Sequence, residues 1–341
     1  MKKVVLNLMA VIVVLILLSG CGGTQVNSVE KTDTDAPQRE TASADETKEA
    51  KEENESSENK EPAEQRVYGI GERVVVDDTY AITILGVQET DYRNQFSEKE
   101  VNQVLIIDYL YENLNLAEDL YISDMNFKFV DADGNMCDSY PAFGLYTPEY
   151  TPVGAKSLSS VAIGTVSNST EVRVLYYDNM FDSKSKAEFR LNVGEYASPV
   201  LEGKMPNYEN MYNVGDIIEI KTESGDYTLC IDSIELVTER NQFSEQEPKE
   251  VYKIAYTYSN ISQDDTLYIS EMNFRVIDGN GNMAFTYPGN TAGYPQETIK
   301  GARCSAEMIF GTYTESNALV LCYTDNLFSE TSDLKIFVNT K

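Results

Sequence analysis

One stretch of this chain occurs twice, and the repetition constrains the fold more than any other feature. Arg93-Asn94-Gln95-Phe96-Ser97-Glu98 returns unchanged as Arg240-Asn241-Gln242-Phe243-Ser244-Glu245, an offset of 147 residues. At the same offset Leu120-Tyr121-Ile122-Ser123 returns as 267–270, and Met125-Asn126-Phe127 as 272–274. The register runs without a gap from Tyr80/Tyr227 to Gly194/Lys341, with about 40 identities in roughly 115 pairs, so the chain contains a tandem duplication. Whatever fold one copy adopts, the other adopts it too.

The segment ahead of the repeats has a different character. Lys2 and Lys3 precede an apolar run over 4–18 that only Asn7 interrupts, followed by small residues, which is the layout of a secretory signal peptide over 1–20. The run is shorter than the roughly 20 apolar residues that cross a bilayer. Its end, Leu18-Ser19-Gly20-Cys21, resembles the lipobox of bacterial lipoproteins. That resemblance implies cleavage before Cys21 and acylation of its thiol with chains such as palmitate, which tie the protein to the outer face of the cell membrane. Residues 21–66 hold no aromatic side chain and are rich in Glu, Lys, Ser and Thr, so an anchored, disordered acidic linker is expected.

Composition excludes several functions. The formal charge of −29 becomes −31 once Lys2 and Lys3 are removed, a balance that repels phosphate backbones, so no nucleic-acid partner is expected. There is no histidine, which removes Ser-His-Asp and Cys-His catalysis and imidazole-bound zinc, and no tryptophan to stack on sugars. No cofactor motif is present. Apart from Cys21, the cysteines are Cys137, Cys230, Cys304 and Cys322; three lie in the second copy, and strand parity points Cys304 inward and Cys230 and Cys322 outward, which favours free thiols over a bridge.

Within the first copy, short β-branched and aromatic runs at 73–76, 80–87, 104–111, 125–131, 157–165, 171–177 and 187–193 are bounded by turn residues, the pattern of an all-β sandwich. Alternation puts Leu105, Ile107, Tyr109 and Tyr111 on an inner face, as it does Tyr252, Ile254, Tyr256 and Tyr258, and leaves the face of Asp108 and Lys253 to solvent. It also turns Met125, Phe127 and Phe129 inward. The expected organisation is two tandem immunoglobulin-like β-sandwich domains at 67–194 and 208–341, joined by a Gly- and Pro-containing connector at 195–207.

A Gly-Asp/Glu start, strands ending in Asn113 and Asn260, runs into Asp131–Gly134 and Asp278–Gly281, and Gly154 and Gly301 after Pro-containing loops together resemble the telokin-like, immunoglobulin-like domains of unknown function found in exported lipoproteins of Gram-positive bacteria. The resemblance implies the fold and an extracellular setting, and carries no catalytic residues.

Two sets of residues stand out as candidate sites. Asp131, Asp133 and Asn135, with Asp278, Asn280 and Asn282, alternate oxygen side chains as calcium loops do, but no bidentate Glu follows and a hairpin turn accounts for the same residues. Arg93, Asn94, Gln95 and Phe96 lie between the second and third strands, and Asp178, Asn179 and Phe181 between the last two; their equivalents are Arg240, Asn241, Gln242, Phe243, Asp325, Asn326 and Phe328. Immunoglobulin connectivity brings these two loops to one end, where they form either a ligand-binding patch or a plug in which the phenylalanines close the core and Arg93 pairs with Asp178. The expected function is a cell-surface binding or interaction lipoprotein for an extracellular protein or glycan, held to the membrane through Cys21. A structural spacer, an accessory subunit of a surface complex and a carboxylate-based enzyme are the rival readings.

Overall fold

The computed structural model describes residues 66–142, 146–327 and 329–341. The signal peptide, Cys21, nearly all of the acidic linker and Phe328 lie outside the described residues.

The described residues are nearly all β, with short 3-10 turns at Asp124–Asn126 and Glu271–Asn273. The first copy supplies β1 (Val67–Tyr68), β2 (Arg73–Val76), β3 (Tyr80–Thr90), β4 (Val104–Asn113), β5 (Phe127–Val130), β6 (Met136–Ser139), β7 (Lys156–Gly164), β8 (Glu171–Tyr176) and β9 (Ala187–Asn192). The second supplies β10 (Tyr212–Asn213), β11 (Ile218–Thr222), β12 (Gly225–Val237), β13 (Glu250–Asn260), β14 (Phe274–Ile277), β15 (Phe285–Thr286), β16 (Arg303–Thr312), β17 (Ala318–Tyr323) and β18 (Leu334–Asn339). One layer of the first copy has the order β1-β9-β8-β5 and the other β7-β4-β3-β2, with β6 pairing to both β5 and β7. The second copy repeats this order as β10-β18-β17-β14 and β11-β12-β13-β16-β15. All ladders are antiparallel except the pairings of β1 with β9 and β10 with β18.

Each copy closes its two layers over its own core. Inward side chains of β3, β4, β8 and β9, among them Ile82, Tyr109, Val174 and Phe189, form the first; Leu229, Tyr256, Leu321 and Ile336 stand in the second. Tyrosines are affordable here because their hydroxyls reach backbone: Tyr109 donates to the Ile122 carbonyl at 2.8 Å, and its counterpart Tyr256 to Ile269 at 2.9 Å. The inner-face alternation is as expected for β4 and β13. Met125 departs from it. It sits in the 3-10 turn before β5 and is exposed, because the Ser123 hydroxyl caps that turn and interrupts the strand period.

The outer face of β3, β4 and β7 is a second correction. Leu85, Leu110 and Leu158 are buried there under Tyr146, Leu201 and Tyr313, and Asp108 is buried beside them. Leu201 belongs to the connector and Tyr313 to the second copy. In return Ile277, Val320 and Cys322, on the outer face of β14 and β17, and Met283 beside Ile277 pack on Ala155 of the first copy and on Met205, Tyr208 and Met211. Cys322 thus points away from its own core, as parity requires, and is still fully buried; Cys137, Cys230 and Cys304 are free thiols as well. Main-chain bonds cross the junction, from Lys156 N–H to Gly281 at 2.9 Å and from Met283 N–H to Lys156 at 2.8 Å. A buried ion pair joins Arg275 to Asp119, and the guanidinium lies over the Tyr150 ring at 4.7 Å. The described part of the chain accordingly belongs to one compact unit, Glu61–Lys341.

Candidate functional site

The six-residue repeat forms a turn after β3 and again after β12. Asn94 Oδ1 accepts the Phe96 N–H at 2.9 Å, and the Ser97 N–H closes the turn on the Asn94 carbonyl at 3.0 Å. The Asn94 N–H donates to the Tyr140 hydroxyl, and its amide nitrogen to the Pro141 carbonyl. Asn241 repeats every one of these bonds, with Tyr287 and Pro288 as partners. Arg93 and Arg240 spend their guanidinium groups on backbone. Arg93 reaches the carbonyls of Thr90, Tyr92 and Asn102, and Arg240 those of Val237, Glu239 and Lys249. These four residues persist because they hold a loop in shape.

Asp178 has a separate role. It accepts from the Tyr80 hydroxyl, which also receives a bond from Tyr176 at 3.0 Å, and it pairs with Lys186 at 2.9 Å. In the second copy Tyr227 bridges Tyr323 and Asp325 at 2.9 and 2.7 Å. Burial, the neighbouring tyrosine and the carboxylate all push the Tyr80 and Tyr227 hydroxyls far above the usual tyrosine range, so they remain donors to that carboxylate.

This arrangement overturns the shared loop end. Asp178 lies beside Tyr80, where β3 begins, whereas Arg93 lies beyond Thr90, where β3 ends. With a rise of about 3.3 Å per residue, an 11-residue strand separates them by roughly 30 Å. Arg93 and Asp178 neither pair nor share a patch, and Arg240 and Asp325 are separated in the same way along β12. The immunoglobulin analogy misplaced the loop after β8, whose last residue, Tyr176, packs on the first residue of β3.

The plug reading is overturned too. Phe96, Phe181 and Phe243 are each 85–86% exposed. Phe181 stands in the same kind of turn as Phe96, its N–H bonded to Asn179 Oδ1 at 3.0 Å and its neighbour Asp182 N–H to the Asn179 carbonyl at 3.0 Å. Asn326 accepts from the Ser329 N–H at 2.9 Å in a turn of matching sequence. An Asn-x-Phe turn therefore sits at both ends of the first copy, at 94–96 and 179–181, and the second copy repeats it at 241–243. Beside the Phe243 turn an open cleft of about 930 Å³ is lined by Glu235, Leu236, Arg240, Lys253, Tyr287 and Ile309, among others.

The calcium candidates act as turn residues. Asp131 accepts from the N–H groups of Asp133 and Asn135, the Asn135 side chain, and the Ser167 N–H and hydroxyl. Burial raises its pKa, but the bonds from Asn135 and Ser167 outweigh this and bring it to about 2. Asp278 is engaged likewise by Asn280, Asn282 and Thr314, and its loop is buried against the first copy. Gly134 and Gly281 supply the positive φ these hairpins need. Among the described residues no group of three acidic or cysteine side chains is gathered to hold a metal.

No family model matches the sequence, and no curated protein matches it. Among solved structures the chain is similar to MPT63, a secreted protein from Mycobacterium tuberculosis, at 11% identity and a TM-score of 0.30, over 39% of this chain and 99% of that one. It is also similar to the yjhA protein from Bacillus subtilis, at 14% identity and a TM-score of 0.28, over 38% of this chain and 100% of that one.

Proposed function

We propose that this chain is a cell-surface lipoprotein, anchored through Cys21, whose two telokin-like, immunoglobulin-like domains present binding turns to an extracellular protein or glycan. The observation that carries the reading is the exposure of Phe96, Phe181 and Phe243 on turns whose other repeated residues are consumed in shaping the turn. A large apolar ring held in water by a built turn serves no packing purpose, and aromatic anchors dominate binding surfaces. With Phe96 and Phe243 in equivalent places, one partner carrying two sites gains from their effective concentration. A spacer is the second reading. It draws support from Arg93, Asn94 and Asp178, whose persistence the fold accounts for without any ligand.

The test is retention of the chain's surface partner by cells displaying single and double Phe96→Ala and Phe243→Ala variants. Each single change is expected to weaken retention and the double change to weaken it more than either. Unchanged retention with an unchanged melting temperature favours the spacer. Cys21→Ser is the control for display and is expected to release the chain or leave it unprocessed.

A further inference from the structure

The two copies differ at one edge of the sheet. In the first copy the chain leaves β9 and returns along the second half of β3. The Gly194 N–H donates to the Val87 carbonyl at 2.7 Å, the Val87 N–H to Glu195 at 3.3 Å, and the Ala197 N–H to Leu85 at 2.7 Å, with Gly86 and Tyr196 in antiparallel register. Val87 is fully buried under this cover. In the second copy the equivalent stretch is 232–237 of β12. β11 covers β12 only as far as Leu229, and Gly215 takes the Ile231 carbonyl at 2.9 Å. From Asp232 onward no described residue occupies the place that 194–197 fills in the first copy. Ile234, the counterpart of Val87, is only half-buried, and Leu236 is 49% exposed.

An open edge of this kind is a template for another strand. We propose that 232–237 of β12 receives an extended segment of a partner protein, antiparallel, in the manner in which 194–197 covers β3. The edge also specifies its occupant. At Gly86 a Cβ would stand 2.4 Å from the Tyr196 ring and 2.8 Å from the Glu195 carbonyl, so the large Tyr196 depends on a glycine opposite it. The counterpart of Gly86 is Ser233, which has a Cβ, so the incoming strand carries a small residue there. Asp232, Glu235 and Glu239 outnumber the cations of this edge, since Lys253 pairs with Glu235 and Arg240 is held by backbone carbonyls, so the occupant carries basic side chains. A second copy of this chain fits poorly, because two β12 edges would oppose acidic side chains on molecules of formal charge −29. The cleft of about 930 Å³ continues from Glu235 to Phe243 and accepts side chains from the outer face of the added strand.

The inference deepens the binding reading at the second repeat, and the two fail separately, since Phe243→Ala alters the turn and leaves the edge intact. The experiment uses the full chain and a synthetic peptide copying residues 194–201 with Glu195→Lys and Tyr196→Ala. Amide hydrogen exchange at Ile234 is expected to slow about 10-fold or more with this peptide. The unaltered 194–201 sequence is expected to protect less. Ile234→Pro removes the outward donor at an edge, where proline is tolerated, and is expected to abolish binding of the peptide in a calorimetric titration. Should that variant unfold, Asp232→Lys with Glu235→Lys decides instead, by transferring the preference to a third peptide that keeps Glu195 and carries only Tyr196→Ala. Exchange at Ile234 unmoved by either peptide overturns the proposal. So does an Ile234 amide already protected in the free chain, or a self-associated chain that Ile234→Pro makes monomeric.

Discussion

At the scale of single residues, the junction turns on Arg275. It is 6% exposed and is satisfied by Asp119, by the Ser329 carbonyl at 2.8 Å and by the Tyr150 ring. Its counterpart in the first copy is Lys128, which is exposed and lies over Tyr177 at 4.4 Å. The same position thus holds a surface cation in one copy and a desolvated guanidinium in the other. Burial raises the Asp119 pKa and Arg275 opposes the rise, so deleting Arg275 strands a carboxylate in a dry site. Arg275→Ala is expected to cost about 3–5 kcal/mol by chemical denaturation, the range for removing one member of a buried pair. The equivalent Lys128→Ala should stay within about 0.5 kcal/mol, as surface changes do.

At the scale of elements, β3 and β12 share sequence register and a bulge, between Ile84 and Gly86 and between Ile231 and Ser233, yet they have different neighbours. The connector makes β3 an interior strand along its second half, while among the described residues β12 is an edge there. Gly86 is the residue that lets the connector lie down. Gly86→Ala is therefore expected to lift 194–197 and destabilise the protein by about 1–3 kcal/mol, the usual cost of overpacking. Ser233→Ala, the same Cβ in the other copy, should be neutral within about 0.5 kcal/mol. Thermal unfolding of the two variants side by side separates a packing effect from one on the bulge, which both copies possess.

At the scale of the whole molecule, the copies dock head to tail through unlike faces. Leu85, Leu110 and Leu158 correspond to Asp232, Thr257 and Ser305, while Ile277, Val320 and Cys322 correspond to Val130, Arg173 and Leu175. Each copy is apolar where it meets the other and more polar on the face that would extend the stack. A heterologous contact with both faces sticky would polymerise, and Asp232, Thr257, Ser305 and Arg173 oppose that. Residues 208–341 expressed alone would uncover Ile277, Met283, Val320 and Cys322. Glu149 adds a pH dependence to the contact. Burial raises its pKa to about 7 against the opposing pull of Arg275, and its counterpart is Gln296. A carboxyl raised in the folded state contributes stability that is fully present below its unfolded pKa of about 4.3 and is lost as pH rises to about 7. Glu149→Gln is expected to flatten the fall in melting temperature between those values, measured by calorimetry across that window. An identical pH profile in the variant would show that general charge repulsion accounts for the fall.

The sequence by itself determined the duplication, the all-β class, the longer strands of the first copy to within a few residues, though not the short β1 and β6, and the inward alternation of β4, β8, β13 and their neighbours. Those features follow from local period and turn chemistry, which each short segment carries on its own. Parity also turned the face of Asp108, which carries Leu110, and Cys322 away from their own cores, but alternation names a face without naming what covers it. Tertiary structure alone decided that these two faces meet, that Arg93 and Asp178 stand at opposite ends of β3, and that 194–197 closes one sheet edge while no described residue closes its twin. Such outcomes depend on which distant segments can reach one another. Two copies with the same local pattern part company there, since each has a different neighbour.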